Sequence, residues 1–180
     1  LVISTIFVNP TQFNQAEDLK TYPRKETEDI ELLEQAGCNI LFIPDTKEIY
    51  PKEPIVEFSF GELINKMEGK YRPGHFSGVA LIVAKLFNII SPDRAYFGQK
   101  DYQQFKVISR LNEDLSFGIE VKSVPTVREK SGLAKSSRNL KLSDLAKTRA
   151  ATISKVLMKA EKELLLGKSF SSIKNDLIMD

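Results

Sequence analysis

The sequence predicts an α/β fold, a doubly wound and mostly parallel sheet. Three observations carry this. Short apolar, β-branched segments alternate with longer segments of helical period along the first two thirds of the chain. Strands separated by helices pair in parallel through right-handed crossovers. Turn residues, Asn-Pro, Gly and Pro, punctuate the joins.

The elements follow in order. "LVISTIFV" (1–8) is a strand ending at the turn signal Asn9-Pro10. "RKETEDIELLEQAG" is a helix with Ile30, Leu33 and Ala36 on one side and Gly37 at its C-terminal cap. "NILFIP" is a buried strand, and "VEFSF" (56–60) a short peripheral one. "FSGVALIVAKLFNIISP" is a buried helix with Val79, Ile82, Val83, Leu86 and Ile90 on one stripe, stopped by Pro92. "RAYFG" is strand, "DYQQFKVISRLNEDL" helix and "IEVKSVP" strand. "SDLAKTRAATISKVLMKAEKELLLG" is a long amphipathic helix with Ser143 as N-cap, Ile153, Val156, Leu157, Ala160 and Leu164 inward and Gly167 at its end. After Pro125 come a polar loop and helix without further strand. A boundary there divides the chain into a sheet domain, residues 1–125, and the start of a smaller domain, residues 126–180. The chain opens at Leu1 inside a strand and closes at "SSIKNDLIMD" inside a helix, so it reads as a fragment of something longer.

Composition excludes several classes. Apolar residues are 42% and charged residues 28%, as in an ordinary globular protein. Lysine and arginine number 26 against 24 acidic residues, a net charge of +2, which gives no electrostatic case for nucleic acid. The single cysteine, Cys38, rules out an internal disulfide and suits a reducing compartment. No apolar run is long enough to span a bilayer and none reads as a signal segment, so a cytoplasmic protein is expected. The single histidine, His75, has no partners at metal-ligand spacing and no serine–aspartate constellation, so neither a metal site nor a hydrolase triad is expected.

Ligands of an open parallel sheet bind at the carboxyl ends of its strands. Three polar loops qualify. In "NPTQF", Asn9 and Gln12 offer both donors and acceptors, although Asn-Pro alone also reads as a plain turn. In "FGQKDYQQF", Gly98 lets the backbone approach a ligand and Lys100 reaches a phosphate. The following helix turns free N–H groups toward an anion, with Gln104 in its first turn. Here Asp101 has an alternative role as helix N-cap, and Lys100 as a solvated surface charge. In "GLAKSSRN", Ser136, Ser137 and Arg138 form a donor cluster with no acidic residue, suited to polyphosphate or, alternatively, to a solvated linker.

Taken together, "IFVNPTQF", "YPR", "RPGHFSGV", "FGQKDYQQ" and "GLAKSSRN" in this order resemble the pantoate–β-alanine ligase family over nearly the whole chain, weakening in the last helix. The resemblance implies a Rossmann-like fold of the nucleotidyltransferase superfamily and a cytosolic, typically dimeric ligase. Such an enzyme adenylates pantoate with ATP and Mg2+, releasing pyrophosphate, and lets β-alanine displace AMP. It implies that Gln12 and Gln104 hold pantoate, that Gln12 also meets β-alanine, and that Asn9 beside them belongs to the same substrate-binding set. It implies ATP contacts at Gly98, Gln99, Lys100, Asp101, Val127, Lys135, Ser136, Ser137 and Arg138. Lys100 and the 136–138 cluster are the residues expected to act on the phosphates, Asp101 lies near the ribose, and the Val127 backbone meets adenine. Arg72 and His75 match recurring family positions without an assigned role.

Four departures stand out. The family's C-terminal lid domain carries more strand and helix than residues 126–180 supply, so it is expected to be incomplete here. The family's N-terminal strand and helix, with a Met-Gly…His…Gly-His segment, has no counterpart here, and His75 does not match it. A sheet lacking that strand is expected to expose two central edges and to fold poorly alone. Gln99 replaces a usual glutamate, and Lys135 a usual methionine or leucine. Two rival readings stay open: another adenylyl- or cytidylyltransferase of the superfamily, and a non-catalytic fragment keeping dimer contacts and part of a ligand pocket.

Overall fold

The computed structural model describes residues 1–178. They fall into two compact units, Leu1–Val124 and Pro125–Asp180.

In the first unit, β1 (Ile3–Thr5) leads through a 3-10 turn (Pro10–Gln12), α1 (Ala16–Lys20) and α2 (Glu26–Gln35) to β2 (Ile40–Phe42). The short α3 (Thr46–Ile49) and α4 (Met67–Tyr71) precede α5 (His75–Ile90). Then β3 (Arg94–Gly98), a 3-10 turn (Gln99–Asp101), α6 (Tyr102–Asp114) and β4 (Glu120–Val124) complete the unit. β1 pairs in parallel with β2, Ile3 opposite Ile40, and β3 in parallel with β4, Arg94 opposite Glu120. Parallel pairing through helical crossovers is as the sequence predicts. Hydrogen bonding divides the strands into two separate two-stranded sheets.

Both sheets share one core with α5 and α6. Val79, Ala80, Ile82, Val83 and Phe87 of α5 and Ile108 and Leu111 of α6 are buried. Phe42 from the first sheet and Ala95, Phe97 and Val121 from the second pack against them. Phe87 meets Phe97 and Phe117 edge-on. Each buried Val, Ile, Leu or Phe side chain of α5 and α6 contributes about 1.5–3 kcal/mol relative to exposure. Of the stripe predicted on α5, Leu86 and Ile90 are only half-buried. α2 ends in a Schellman motif: Cys38 N–H donates to Leu33 O at 2.9 Å and Gly37 N–H to Glu34 O at 3.0 Å.

The segment 56–60 is not a strand. Pro51 and Pro54 supply no N–H nearby, and Phe58 N–H donates to Ser77 Oγ of α5 at 2.9 Å instead of to a sheet. Phe58 and Phe60 stack on each other and pack on the core, while Ile55 and Val56 are exposed.

The second unit holds a 3-10 turn (Ser137–Lys141), α7 (Asp144–Leu165) and α8 (Phe170–Ile178) packed on α7. The last two residues of the helix expected at the chain end, 179 and 180, lie outside the described residues. Ser143 caps α7, its Oγ accepting from Ala146 N–H at 3.3 Å. The predicted inward stripe of α7 is corrected. Ile153, Leu157 and Leu164 are exposed, Val156 and Ala160 half-buried, and Ala151 and Ser154 are the buried positions. Helical period tells that a helix is two-faced, not what covers it. At Ser154 the small side chain admits a loop: a Cβ on Gly132 would stand 2.5 Å from Ser154 Oγ.

Candidate active site

The loop after β1 is built on α5. Gly78 lets the loop touch the helix, since a Cβ there would lie 2.3 Å from Thr11 O and 2.7 Å from Gln12 N. Asn9, 3% exposed, ties the two together. Its Nδ2 donates to Gly78 O and to Gln12 Oε1, both at 3.1 Å. Its Oδ1 accepts from Tyr50 Oη at 2.8 Å and Thr11 Oγ1 at 3.1 Å. Burial raises the Tyr50 phenol above its ordinary range, the Thr11 hydrogen bond opposing in part. His75, buried at the start of α5, faces the same loop: Nδ1 lies 2.8 Å from Gln12 O, and Nε2 3.3 Å from Arg72 Nη1. Arg72 also reaches Gln12 O at 3.5 Å and pairs with Glu68.

The second loop leaves β3. Gly98 runs in ordinary extended backbone and a Cβ on it would meet nothing within 4 Å. No bend therefore demands glycine; the missing side chain leaves room at the strand end. Asp101 stands at the N-cap position of α6, yet its carboxylate makes no capping bond and pairs with Lys100 Nζ at 3.4 Å. The first turn of α6 carries no acidic residue, and the negative charge at its positive end is that of the N-cap Asp101. Gln99 belongs to the 3-10 turn, and Gln104 is half-buried in the first turn of α6.

In the second unit a tight hairpin, with Arg128 bridged to Ala134, brings Val127 beside Lys135, whose N–H donates to Val127 O at 2.9 Å. Ser136 opens the following 3-10 turn and accepts from Arg138 N–H at 3.3 Å. Ser137 and Arg138 lie in that turn. The hairpin thus joins two sequence-predicted positions eight residues apart, Val127 and Lys135, into one surface. Among the described residues no group of three or more His, Cys, Asp or Glu is placed to hold a metal ion. No helix among them is long and apolar enough to cross a membrane.

Two residues were missed in the sequence. Tyr50 was one, and nothing in its neighbourhood marks it. The other is Gln103, 7% exposed, which donates to Leu63 O and Lys66 O at 2.8 Å and accepts from Gly69 N–H at 3.4 Å. It pins the 61–71 stretch, and its spacing to buried Val107 and Leu111, i, i+4 and i+8, was a usable signal. An open groove of about 1020 Å3 runs beside this stretch, lined by Pro10, Glu57, Phe58, Lys70, Arg72 and Gly78 among others. Gln12, Lys100 and Gln104 are not part of its lining.

Parallel strands, helical crossovers and donor-rich loops at the strand ends define a Rossmann-like protein of the nucleotidyltransferase type. A model of the family described as pantoate-beta-alanine ligase matches residues 1–179, and the chain belongs to that family. The pantothenate synthetase of Cytophaga hutchinsonii is 51% identical over 166 residues, 92% of this chain and 59% of that protein. A structure of the Thermus thermophilus pantothenate synthetase superposes with a TM-score of 0.94 at 42% identity, over 99% of this chain and 65% of that one. The Francisella tularensis pantoate-beta-alanine ligase, solved with Beta-gamma ATP and Beta-alanine, gives a TM-score of 0.85 at 37% identity, covering 99% and 67%. The chain spans about three fifths of the length of the curated relatives it matches.

Proposed function

We propose that this chain carries the acyl-substrate pocket and the phosphate-binding loops of a cytoplasmic, homodimeric ATP-dependent ligase that joins pantoate and β-alanine. The observation that supports this best is five of the family's motifs in order along a chain whose residues 1–179 match the family model. In the first step a pantoate carboxylate oxygen attacks the α-phosphorus of ATP. An O–P bond forms and the bond to pyrophosphate breaks. In the second, the β-alanine amine attacks the acyl carbon; a C–N bond forms, the acyl–phosphate bond breaks, AMP leaves and the amine loses its proton.

Neither step needs a protein nucleophile. Both are served by positioning and by fixed positive groups where phosphoryl charge builds. Gln12 and Gln104 hold pantoate, with Gln12 also meeting β-alanine. Gly98, Gln99, Lys100 and Asp101 bind ATP with Lys100 on the phosphates. Val127, Lys135, Ser136, Ser137 and Arg138 are further ATP-binding positions. The lack of any acidic residue within 132–139 is thereby explained: the nucleotide brings the negative charge. Magnesium enters with ATP, as the counter-ion of the nucleotide's phosphates.

The test is pantoate-dependent exchange of labelled pyrophosphate into ATP. Exchange that requires pantoate supports the ligase. Exchange without pantoate would assign a different adenylyltransferase, and none at all a chain that binds without catalysing.

A further inference from the structure

Every hydrogen-bonding position of Asn9 is already filled from within the protein. An amide offers two N–H donors and two acceptor sites. Gly78 O and Gln12 Oε1 take the donors; Tyr50 Oη and Thr11 Oγ1 fill the acceptors. At 3% exposure Asn9 has neither surface nor capacity left for a ligand. Its orientation is not a free choice either. Gly78 O can only accept, so the atom of Asn9 facing it must be nitrogen. The same nitrogen faces Gln12, so the Gln12 atom it meets must be oxygen. The other atom of that amide, Gln12 Nε2, is therefore the donor, and it makes no hydrogen bond within the described residues.

The backbone of Gln12 is held by a second chain of reasoning. Arg72 can only donate, so the His75 Nε2 that it meets is the unprotonated, accepting nitrogen. Nδ1 then carries the proton and donates it to Gln12 O. Arg72 Nη2 approaches the same carbonyl.

Resting on the ligase reading above, we propose that Asn9 and His75 are positioning residues for Gln12. Asn9 sets the polarity of its amide, and His75 with Arg72 sets its backbone. Gln12 then presents a fixed N–H donor to an acceptor oxygen of the acyl substrate, and Asn9 acts through Gln12 without touching the substrate.

The test combines NMR of the Gln12 side-chain amide in the substrate-free protein with calorimetric titration of pantoate. Asn9→Asp is isosteric but cannot donate to Gly78 O, and it draws the Gln12 N–H groups inward. It should shift the Gln12 amide signals and weaken pantoate by about tenfold or more, one hydrogen bond turned from donor to acceptor. His75→Asn keeps a donor near the place of Nδ1 and should stay within about threefold of wild type. His75→Gln carries its amide beyond that place and should lose about tenfold. ATP affinity should hold in all three, which a general loosening of the fold would not allow. On a Gln12→Ala background the Asn9 and His75 variants should cost nothing further. Unchanged Gln12 signals and unchanged pantoate affinity in Asn9→Asp and His75→Gln would overturn the proposal, as would full additivity on Gln12→Ala. If Asn9→Asp fails to fold, the His75 pair decides alone. Gln12 signals that move in the variants of a wild-type chain indifferent to pantoate would sink the ligase reading and with it the substrate role, leaving the hydrogen-bond frame.

Discussion

Gly78→Ala is the sharpest perturbation of this site, because it adds one methyl group at the contact between α5 and the loop bearing Gln12. The new carbon would stand 2.3 Å from Thr11 O, 2.5 Å from Thr11 C and 2.7 Å from Gln12 N, where ordinary contact begins at 3.4 Å. All three are backbone atoms, so no side chain can swing aside. The loop must withdraw by about an ångström, or α5 must move within a core that it dominates. The helix itself gains, since alanine is favoured over glycine by about 1 kcal/mol in a helix interior. Overpacking costs about 1–3 kcal/mol. The net loss of stability should be small, about 0–2 kcal/mol. The site has no such offset. An ångström of misplacement costs on the order of a hundredfold in a positioned reaction, and the Asn9 bond to Gly78 O is stretched with it. Urea unfolding and pantoate-dependent pyrophosphate exchange should therefore part company, with folding nearly intact and exchange down by about two orders of magnitude. Exchange within threefold of wild type in a folded variant would refute the claim that this contact sets Gln12.

Other perturbations follow from the same geometry. Gln103→Leu leaves two carbonyls and one N–H of the 61–71 stretch without their partner; a loss of about 2–4 kcal/mol is expected, read as a lower urea midpoint at unchanged m-value. Burial holds the Tyr50 phenol above its ordinary 10.0. The stability tied to its neutral form is thus complete below that value and is lost as pH climbs through the raised one. Ultraviolet difference titration should find one late phenol that Tyr50→Phe removes. Ser143→Ala strips the cap of α7 and should cost about 1 kcal/mol by calorimetry, with Ser143→Asp near neutral.

The sequence was a good guide wherever one local pattern decides the outcome. The apolar stripe of α5, the strands around Ala95 and Val121, and the cap at Ser143 follow from period, β-branching and a hydroxyl before a helix. It misled where the outcome depends on what lies opposite. Residues 56–60 have a strand's composition, yet no strand lies alongside them, and Phe58 bonds to a helix serine. Ile153, Leu157 and Leu164 have a core's spacing, but Ala151 and Ser154 are the buried positions, and Gly132 approaches the small Ser154 side chain.

The candidate site divides along the same line. Residue types and loop positions were legible, because a strand followed by a polar turn is a local signal. The direction in which a glutamine points its donors was not, because an amide is both donor and acceptor and the sequence cannot say which end faces out. For Gln12 that choice traces back through Asn9 to a carbonyl on α5, 69 residues beyond Asn9 in the chain. The carbonyl accepts in any protonation state, so the polarity it imposes does not depend on pH, whereas the tyrosine that completes the Asn9 shell does titrate. Ionised, Tyr50 can no longer donate to Asn9 Oδ1, and two oxygens would face each other at 2.8 Å. The frame around Gln12 should therefore fail at alkaline pH from the Tyr50 side first. Pantoate affinity followed by calorimetry should fall as the late phenol ionises and persist to higher pH in Tyr50→Phe; identical alkaline limbs in the two proteins would show that the frame does not run through Tyr50.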